Sequence, residues 1–379
     1  MPDHILVTGG AGFIGSHLAD ELLRKGHRVR ALDNLMPQVH GPEGRRPAYL
    51  DPEVELVAGD VRDPTAVRRA LKGIDAVCHL AAMVGVGQSM YRIDAYASTN
   101  TGGTAVLLEA LAERPVRRLV VASSMSVYGE GLYRRASGEP VEGRSRPIEQ
   151  LRRGEWEVRA PDDEALTPIP TPETKSLALE SVYALSKHDQ ERLCLLVGRA
   201  YGIPTIALRL FNVYGPRQAL SNPYTGVLAN FAARLMNGSP PVIFEDGLQQ
   251  RDFVSVHDVA RALRQALAGA GSEAIGDVDG EVINVGSGAP HTILEIARTM
   301  QQVLGGGGKD EAEVIGRYRM GDVRHCFADI DKARRLLRYE PSVSFESGLS
   351  ELVSWLEGQV ARDRVPEARA ELEARGLTL

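Results

Sequence analysis

At 379 residues, 43% hydrophobic and 25% charged, the chain has enough apolar material for one large α/β domain and a smaller partner. A net charge of −6, with basic residues scattered instead of massed, gives no electrostatic reason to expect a nucleic acid or an anionic membrane as partner. Cys78, Cys194 and Cys326 lie far apart and fit neither a disulfide framework nor a metal site, and no metal is expected. No apolar run approaches a membrane span, and MPDHILVTGG lacks a charged segment followed by a long apolar one, so a reducing, cytoplasmic home is expected.

Ile5–Thr8 reads as a strand and Ile14–Arg24 as a helix, joined by TGGAGFIGSH. Gly10, Gly12 and Gly15 satisfy G-x-G-x-x-G, with Phe13 and Ile14 between; Gly9, Gly12 and Gly15 also satisfy G-x-x-G-x-x-G. Such a turn needs positive φ, and a pyrophosphate needs backbone N–H groups it can approach without a Cβ in the way. The second strand, Val29–Asp33, ends on a carboxylate at about the ~20-residue offset of a dinucleotide fold. Asp33, with Asn34 beside it, would bond both ribose hydroxyls and repel a 2′-phosphate, which favours NAD over NADP. A third strand, Val54–Val57, leads into Gly59-Asp60-Val61, where Asp60 would approach the adenine amino group. The helix Pro64–Leu71 follows, then the strand Ala76–Leu80. After His79, the small residues of Leu80-Ala81-Ala82 leave room for the cofactor. Asn100 precedes the helix Thr104–Glu113, where its amide can satisfy backbone groups or touch the cofactor.

The fifth strand, Leu119–Ala122, runs into Ser123-Ser124-Met125-Ser126. Residues 132–181 are polar, proline-rich and weakly periodic and read as an insertion, with one short helix near Ile148–Arg153. In the helix Tyr183–Tyr201, Tyr183 and Lys187 stand at i and i+4 on one face. A tyrosine acting as base near neutrality must drop by roughly 3 pKa units, about 4 kcal/mol of preferential phenolate stabilisation. A lysine ammonium and an oxidised nicotinamide can supply it, and Ser124 can donate to the substrate oxygen. The strand Thr205–Arg209 completes an alternation that argues a Rossmann-type, doubly wound parallel sheet. From about Pro216 the alternation loosens. Helices near Val227–Asn237, His257–Ala268, Thr292–Leu304 and Leu349–Glu357 flank short strands such as Val282–Val285. The expected division is a cofactor domain, 1–215, and a smaller C-terminal α/β substrate lobe, mainly 216–379. Gly305–Gly308 reads as a flexible turn.

In order, TGGAGFIG, DNL (33–35), GDV (59–61), HLAA (79–82), SSMSVYG (123–129), YALSK (183–187), LRLFNVYGPRQ (208–218), RDFVSVHDVA (251–260), NVGSG (284–288) and GDVRHCFADIDKA (321–333) cover most of the chain. This set resembles the extended short-chain dehydrogenases/reductases, specifically the NAD-dependent epimerase/dehydratase group that acts on nucleotide sugars. The resemblance implies Ser124, Tyr183 and Lys187 as the catalytic set. It also implies contact of Asn212 with the sugar-nucleotide phosphates and a pyrophosphate clamp made by Arg251 and Arg319. Gln218 and Asn222 could read the base or sugar edge, and Val84 and Gln88 could line the sugar pocket. Family dehydratases resemble one another in an Asp–Glu pair directly after the Thr or Ser, and the decarboxylases in retaining the Glu. Here those positions hold Met125 and Ser126, neither of which shuttles a proton at neutral pH. What remains is epimerisation at a ring carbinol, or alcohol–ketone interconversion by a 4-dehydrogenase or ketoreductase.

More narrowly, SSMSVYGEG, the long insertion and GPRQALSNPYTGVLANF resemble the dTDP-L-rhamnose 4-epimerases. The expected activity is therefore 4-epimerisation of a nucleotide-linked 6-deoxyhexose by a homodimer holding NAD. A catalytically idle NAD-binding regulator is the other class considered. The insertion lacks cysteine, so it is no zinc-stapled lobe; leading into Tyr183, it reads either as a lid or as a surface appendage.

Overall fold

The computed structural model describes residues 3–220, 222, 224, 226–268, 278–304, 312–359 and 363–378. Seven parallel strands form the central sheet. From one edge they are Val282–Val285, Thr205–Leu210, Arg118–Ser124, Ala76–His79, His4–Thr8, Arg28–Asp33 and Glu55–Ala58. Leu6, Val7, Val77, Cys78, Val120 and Val121 are wholly buried, because helices cover both faces of the sheet. Phe13–Arg24 and Val256–Ala268 close one face over Val7, Leu18, Val120 and Leu263. Pro64–Ala70, Gly103–Glu113 and Val182–Tyr201 close the other over Leu6, Val77, Leu107 and Cys194. Strand order reverses between His4–Thr8 and Ala76–His79, which opens a crevice beyond their carboxyl ends.

One strand sits elsewhere than the sequence suggests. Val282–Val285 is not part of the C-terminal lobe; it pairs residue by residue with Ala207–Leu210 as the seventh strand. Without it the edge of Thr205–Leu210 would present unpaired backbone groups, and Ile283 and Val285 are buried in the sheet's core. The chain therefore leaves the main sheet after Leu210 and returns to it. The lobe keeps its own core, where Tyr214, Phe231, Phe253, Ile296 and Leu352 pack together. A C-terminal helix, Val365–Ala374, was not legible in the sequence; Ala368 and Leu372 anchor it. Gly305–Gly308 lies outside the described residues.

The insertion forms a small antiparallel sheet, with Leu132–Arg134 between Pro140–Glu142 and Thr167–Ile169, and the expected helix at Ile148–Arg152. Strands of three residues are too short to show alternation, so only its helix was visible in advance. Tyr133, Val158 and Leu166 give it a core. It is no loose appendage: the Gly131 N–H donates to the His325 carbonyl at 2.8 Å, and the Thr171 N–H to the Phe327 carbonyl at 2.8 Å. Among the described residues no helix is long and apolar enough to cross a membrane.

Candidate active site

The glycine turn meets the carboxyl ends of the strands at close range. Gly9 has φ +68°, and a Cβ there would stand 3.0 Å from Ala81 Cα; on Gly15 a Cβ would strike the Gly9 carbonyl oxygen at 2.3 Å. Backbone this close leaves no room for side chains, and the helix begins at Phe13 with Gly12 as a cap that offers no side-chain acceptor. Its first amides are therefore open to an anion, with Ile14 in that turn. Asp33 accepts from the Ala11 N–H at 3.1 Å and the Leu35 N–H at 2.9 Å, which ties the carboxylate to the glycine turn. The cradle and the carboxylate fit the phosphate and ribose portions of NAD.

Asp60 is held by its neighbours Arg62 and Asn34. Arg62 gives it three hydrogen bonds of 2.8–2.9 Å and Asn34 a fourth at 3.0 Å, so its four acceptor sites are taken. The Arg62 bonds hold its carboxyl down at about 2. Val61 is buried beside it, packed where Gly103 lacks a Cβ. Asn100 takes the first of its two expected parts and satisfies backbone groups. It lies in a π-helical turn, Ala97–Gly102, and its amide is spent on the Met83 N–H (2.7 Å), the Met83 carbonyl (3.0 Å) and Ser186 Oγ (2.9 Å). It thereby ties the end of the fourth strand to the Tyr–Lys helix.

That helix, Val182–Tyr201, starts at Ser181, whose hydroxyl caps the Ala184 N–H, and stops at Gly202 in the left-handed region. Tyr183 lies beside Ser124: burial raises its phenol above the usual value, and the Ser124 hydroxyl partly offsets the rise. Ser124 in turn accepts from Ser126 N–H (3.2 Å) and Ser126 Oγ (3.0 Å). The position that would carry an acid thus holds a hydroxyl turned onto Ser124, while Met125 packs with Tyr128 and Phe211. The Tyr96 ring meets that of Tyr183 edge-on at 6.3 Å and donates to the Val84 carbonyl at 2.7 Å.

Beneath Lys187 runs a polar chain that sequence reading missed. Lys187 Nζ donates to Gln190 Oε1 at 2.7 Å; Gln190 Nε2 donates to Thr104 Oγ1 at 2.9 Å and to the Ala81 carbonyl at 3.3 Å. Gln190, three residues beyond Lys187, lies on the same helix face, a spacing that could have revealed it. Ala81 touches Gly9, so the ammonium and the glycine turn are joined through two residues. Burial lowers the Lys187 ammonium to about 8. Thr8 Oγ1 accepts the Leu80 and Ala81 N–H groups, so its proton faces His79 Nδ1 at 2.7 Å, and His79 donates from Nε2 to Thr104 at 2.9 Å. Ala82 completes this strand end.

Two buried imidazoles predict acid lability. Burial, reinforced by Lys187, holds His79 down at about 3; burial, reinforced by Arg217, does the same for His17. Each is neutral in the fold yet takes a proton near 6.5 when unfolded, so stability is intact above that value and is lost as pH falls toward about 3. At about pH 5 each should cost about 2 kcal/mol. Urea unfolding at about pH 7.5 and pH 5 measures this; a pH slope unaltered by His79→Gln would refute the assignment.

On the substrate side, Gln38 bridges two expected residues, donating to Gln88 Oε1 at 3.3 Å and Asn222 Oδ1 at 2.9 Å. Val84 is exposed beside them. Asn212 and Gln218 each leave a buried side-chain oxygen without a partner, ready for a donor. Arg319 is bidentate on Asp322 at 2.9–3.1 Å and lies against Gly87. Arg251 is seated on main-chain carbonyls.

A phenol beside a serine at one strand end, and an ammonium linked through Gln190 and Ala81 to a glycine turn, define a dinucleotide-dependent enzyme of the extended short-chain dehydrogenase/reductase type. The chain belongs to the NAD dependent epimerase/dehydratase family, whose pattern matches residues 5–286. It is 36% identical to the dTDP-L-rhamnose 4-epimerase of Burkholderia thailandensis over 363 residues, 94% of this chain and 96% of that one. The UDP-glucose 4-epimerase of Thermus thermophilus, solved with NAD, superposes with a TM-score of 0.72 at 31% identity, covering 94% of this chain and all of that one. The UDP-glucuronic acid 4-epimerase of Bacillus cereus, solved with UDP-glucuronic acid and NAD, gives 0.72 at 29%, covering 93% and 99%.

Proposed function

We propose that this protein is an NAD-dependent 4-epimerase of a dTDP-linked 6-deoxyhexose, with dTDP-L-rhamnose the leading substrate. The observation that carries the reading is the Ser124–Tyr183 pair, with Ser126 and Met125 where a dehydrating or decarboxylating relative needs a carboxylic acid. Likeness to the Burkholderia enzyme over nearly the whole chain supports the choice of sugar.

Bound between the Gly9–Gly15 turn and Asp33, NAD supplies a hydride acceptor and donor. Tyr183 takes the proton of the C4 hydroxyl while Ser124 bonds the same oxygen. Lys187, whose ammonium rests on an amide instead of a carboxylate, stabilises the phenolate. The sugar, now a 4-ketone, rotates, and Tyr183 returns the proton to the oxygen with C4 inverted. Holding the ketone in the crevice throughout makes each step intramolecular. Residues 1–215 serve the cofactor and 216–379 mainly the nucleotide sugar, with Asn212, Gln218 and Asn222 as wall contacts and Arg251 and Arg319 as the diphosphate clamp. The protein works in the cytoplasm as a homodimer; Leu185, Leu196 and Tyr201, about half exposed along the Tyr–Lys helix, support that association.

The test is incubation of purified protein with dTDP- and UDP-sugars without added NAD. The expected result is a C4-inverted product with the bound cofactor recycled. Turnover that demands stoichiometric NAD and accumulates NADH would instead establish a dehydrogenase.

A further inference from the structure

Arg251 does not hang free in the crevice. Its guanidinium donates to the Gln250 and Arg324 carbonyls at 2.9 Å and to that of Val323, so two of its five N–H groups remain for a ligand. Where those two point depends on the path of residues 323–324. Arg319 rides on the same segment.

The groups that set this path come from the insertion and its root and, on the lobe side, from Glu245 and Asp246, the latter accepting from Arg324 at 2.6 and 3.0 Å. Glu130, at the root, accepts the N–H groups of Arg324 at 2.7 Å and His325 at 3.2 Å. The wholly buried Arg324 side chain reaches Glu245 at 2.9 Å, and its Nε donates to Glu157 of the insertion at 3.1 Å. Glu157 also stands 3.0 Å from His325 Nε2. Arg146, likewise from the insertion, donates to Glu245 at 2.9 Å and lies 5.3 Å over the ring of Tyr318, next to Arg319. Buried charges are tolerated only with every partner in place, so this arrangement admits few geometries. A lid would meet the site through a detachable surface; this insertion meets it through charges interlocked with the buried Arg324 and Glu245.

We propose that the insertion is a positioning element for diphosphate recognition, in which Arg146 and Glu157 set the course of residues 318–325 and so aim Arg251 and Arg319. The inference rests on the nucleotide-sugar reading and assigns the insertion its part in it. Neither residue touches the substrate.

Calorimetry on NAD-loaded wild type, Glu157→Ala and Arg146→Met tests it with dTDP against dTMP, and UDP against UMP. In both variants the diphosphate should weaken about tenfold and the monophosphate less than about twofold. Bound NAD should be unchanged and kcat should stay within about twofold. Equal weakening of both nucleotides would mean general loosening and would overturn the proposal. So would undiminished diphosphate binding with a raised KM, the signature of a sugar lid. If Arg146→Met fails to fold, Glu157→Ala, at a side chain 46% exposed, decides alone. Wild type that takes up neither dTDP nor UDP would sink the nucleotide-sugar reading itself, and this inference with it.

Discussion

Tyr183→Phe is expected to lower kcat by about 10³-fold or more while the protein stays folded and keeps its NAD. Placed general acid–base catalysis contributes about 10²–10⁴-fold, and the phenol is the titratable group beside Ser124. The ring keeps its edge-on packing on Tyr96, so the pocket's shape survives the loss of one oxygen. Burial raises this phenol, so ionisation near neutrality depends on positive charge from Lys187 and the bound nicotinamide. Single-turnover kinetics with the purified variant, alongside its cofactor content, separate chemistry from binding. Retention of a tenth or more of wild-type kcat would show that another group takes the proton. Loss of NAD together with activity would show instead that the ring's main task is to hold the cofactor.

The second large effect concerns the joint that seats the Tyr–Lys helix on the sheet. Arg209 gives Glu191 bonds of 3.0 and 2.7 Å, and Glu191 accepts Ser123 Oγ at 2.7 Å; all three are nearly or wholly buried. Arg209 also donates to Tyr128 at 3.0 Å and lies 4.8 Å over its ring. Arg209→Met strands a carboxylate in the core and should cost about 3–5 kcal/mol, a fall in unfolding midpoint of roughly 5–10 °C. Adding Glu191→Gln removes the stranded charge and should recover part of that loss. Thermal unfolding of the single and double variants reads this directly. A double variant no more stable than Arg209→Met would mean that the cost came from lost packing on Tyr128 and not from an unpaired charge.

Much of the cofactor half was legible because its determinants are local. Gly9, Gly15 and Asp33 act through their own backbone or the neighbouring strand end, and Tyr183 and Lys187 share a face by helical period alone. Periodicity likewise placed six strands of the central sheet and the longer helices between them, since elements buried on a parallel sheet carry their apolar pattern in consecutive residues. The lobe's helices at Val227–Met236 and Ile293–Val303 were readable for the same reason.

What the sequence determined by itself, then, was the doubly wound sheet, the glycine turn and the absence of an acid beside Ser124, each encoded in residues a few positions apart. Tertiary structure alone decided that Val282–Val285 returns to the main sheet and that Asn100 spends its amide on Met83 and Ser186. Only folding could bring Gln190 against Ala81 and Thr104, or interlock Glu157 and Arg146 with residues 318–325. The physical reason is distance along the chain: a buried charge or amide finds its partner wherever packing brings one, and pairings such as Glu130 with Arg324 leave no period or spacing to read.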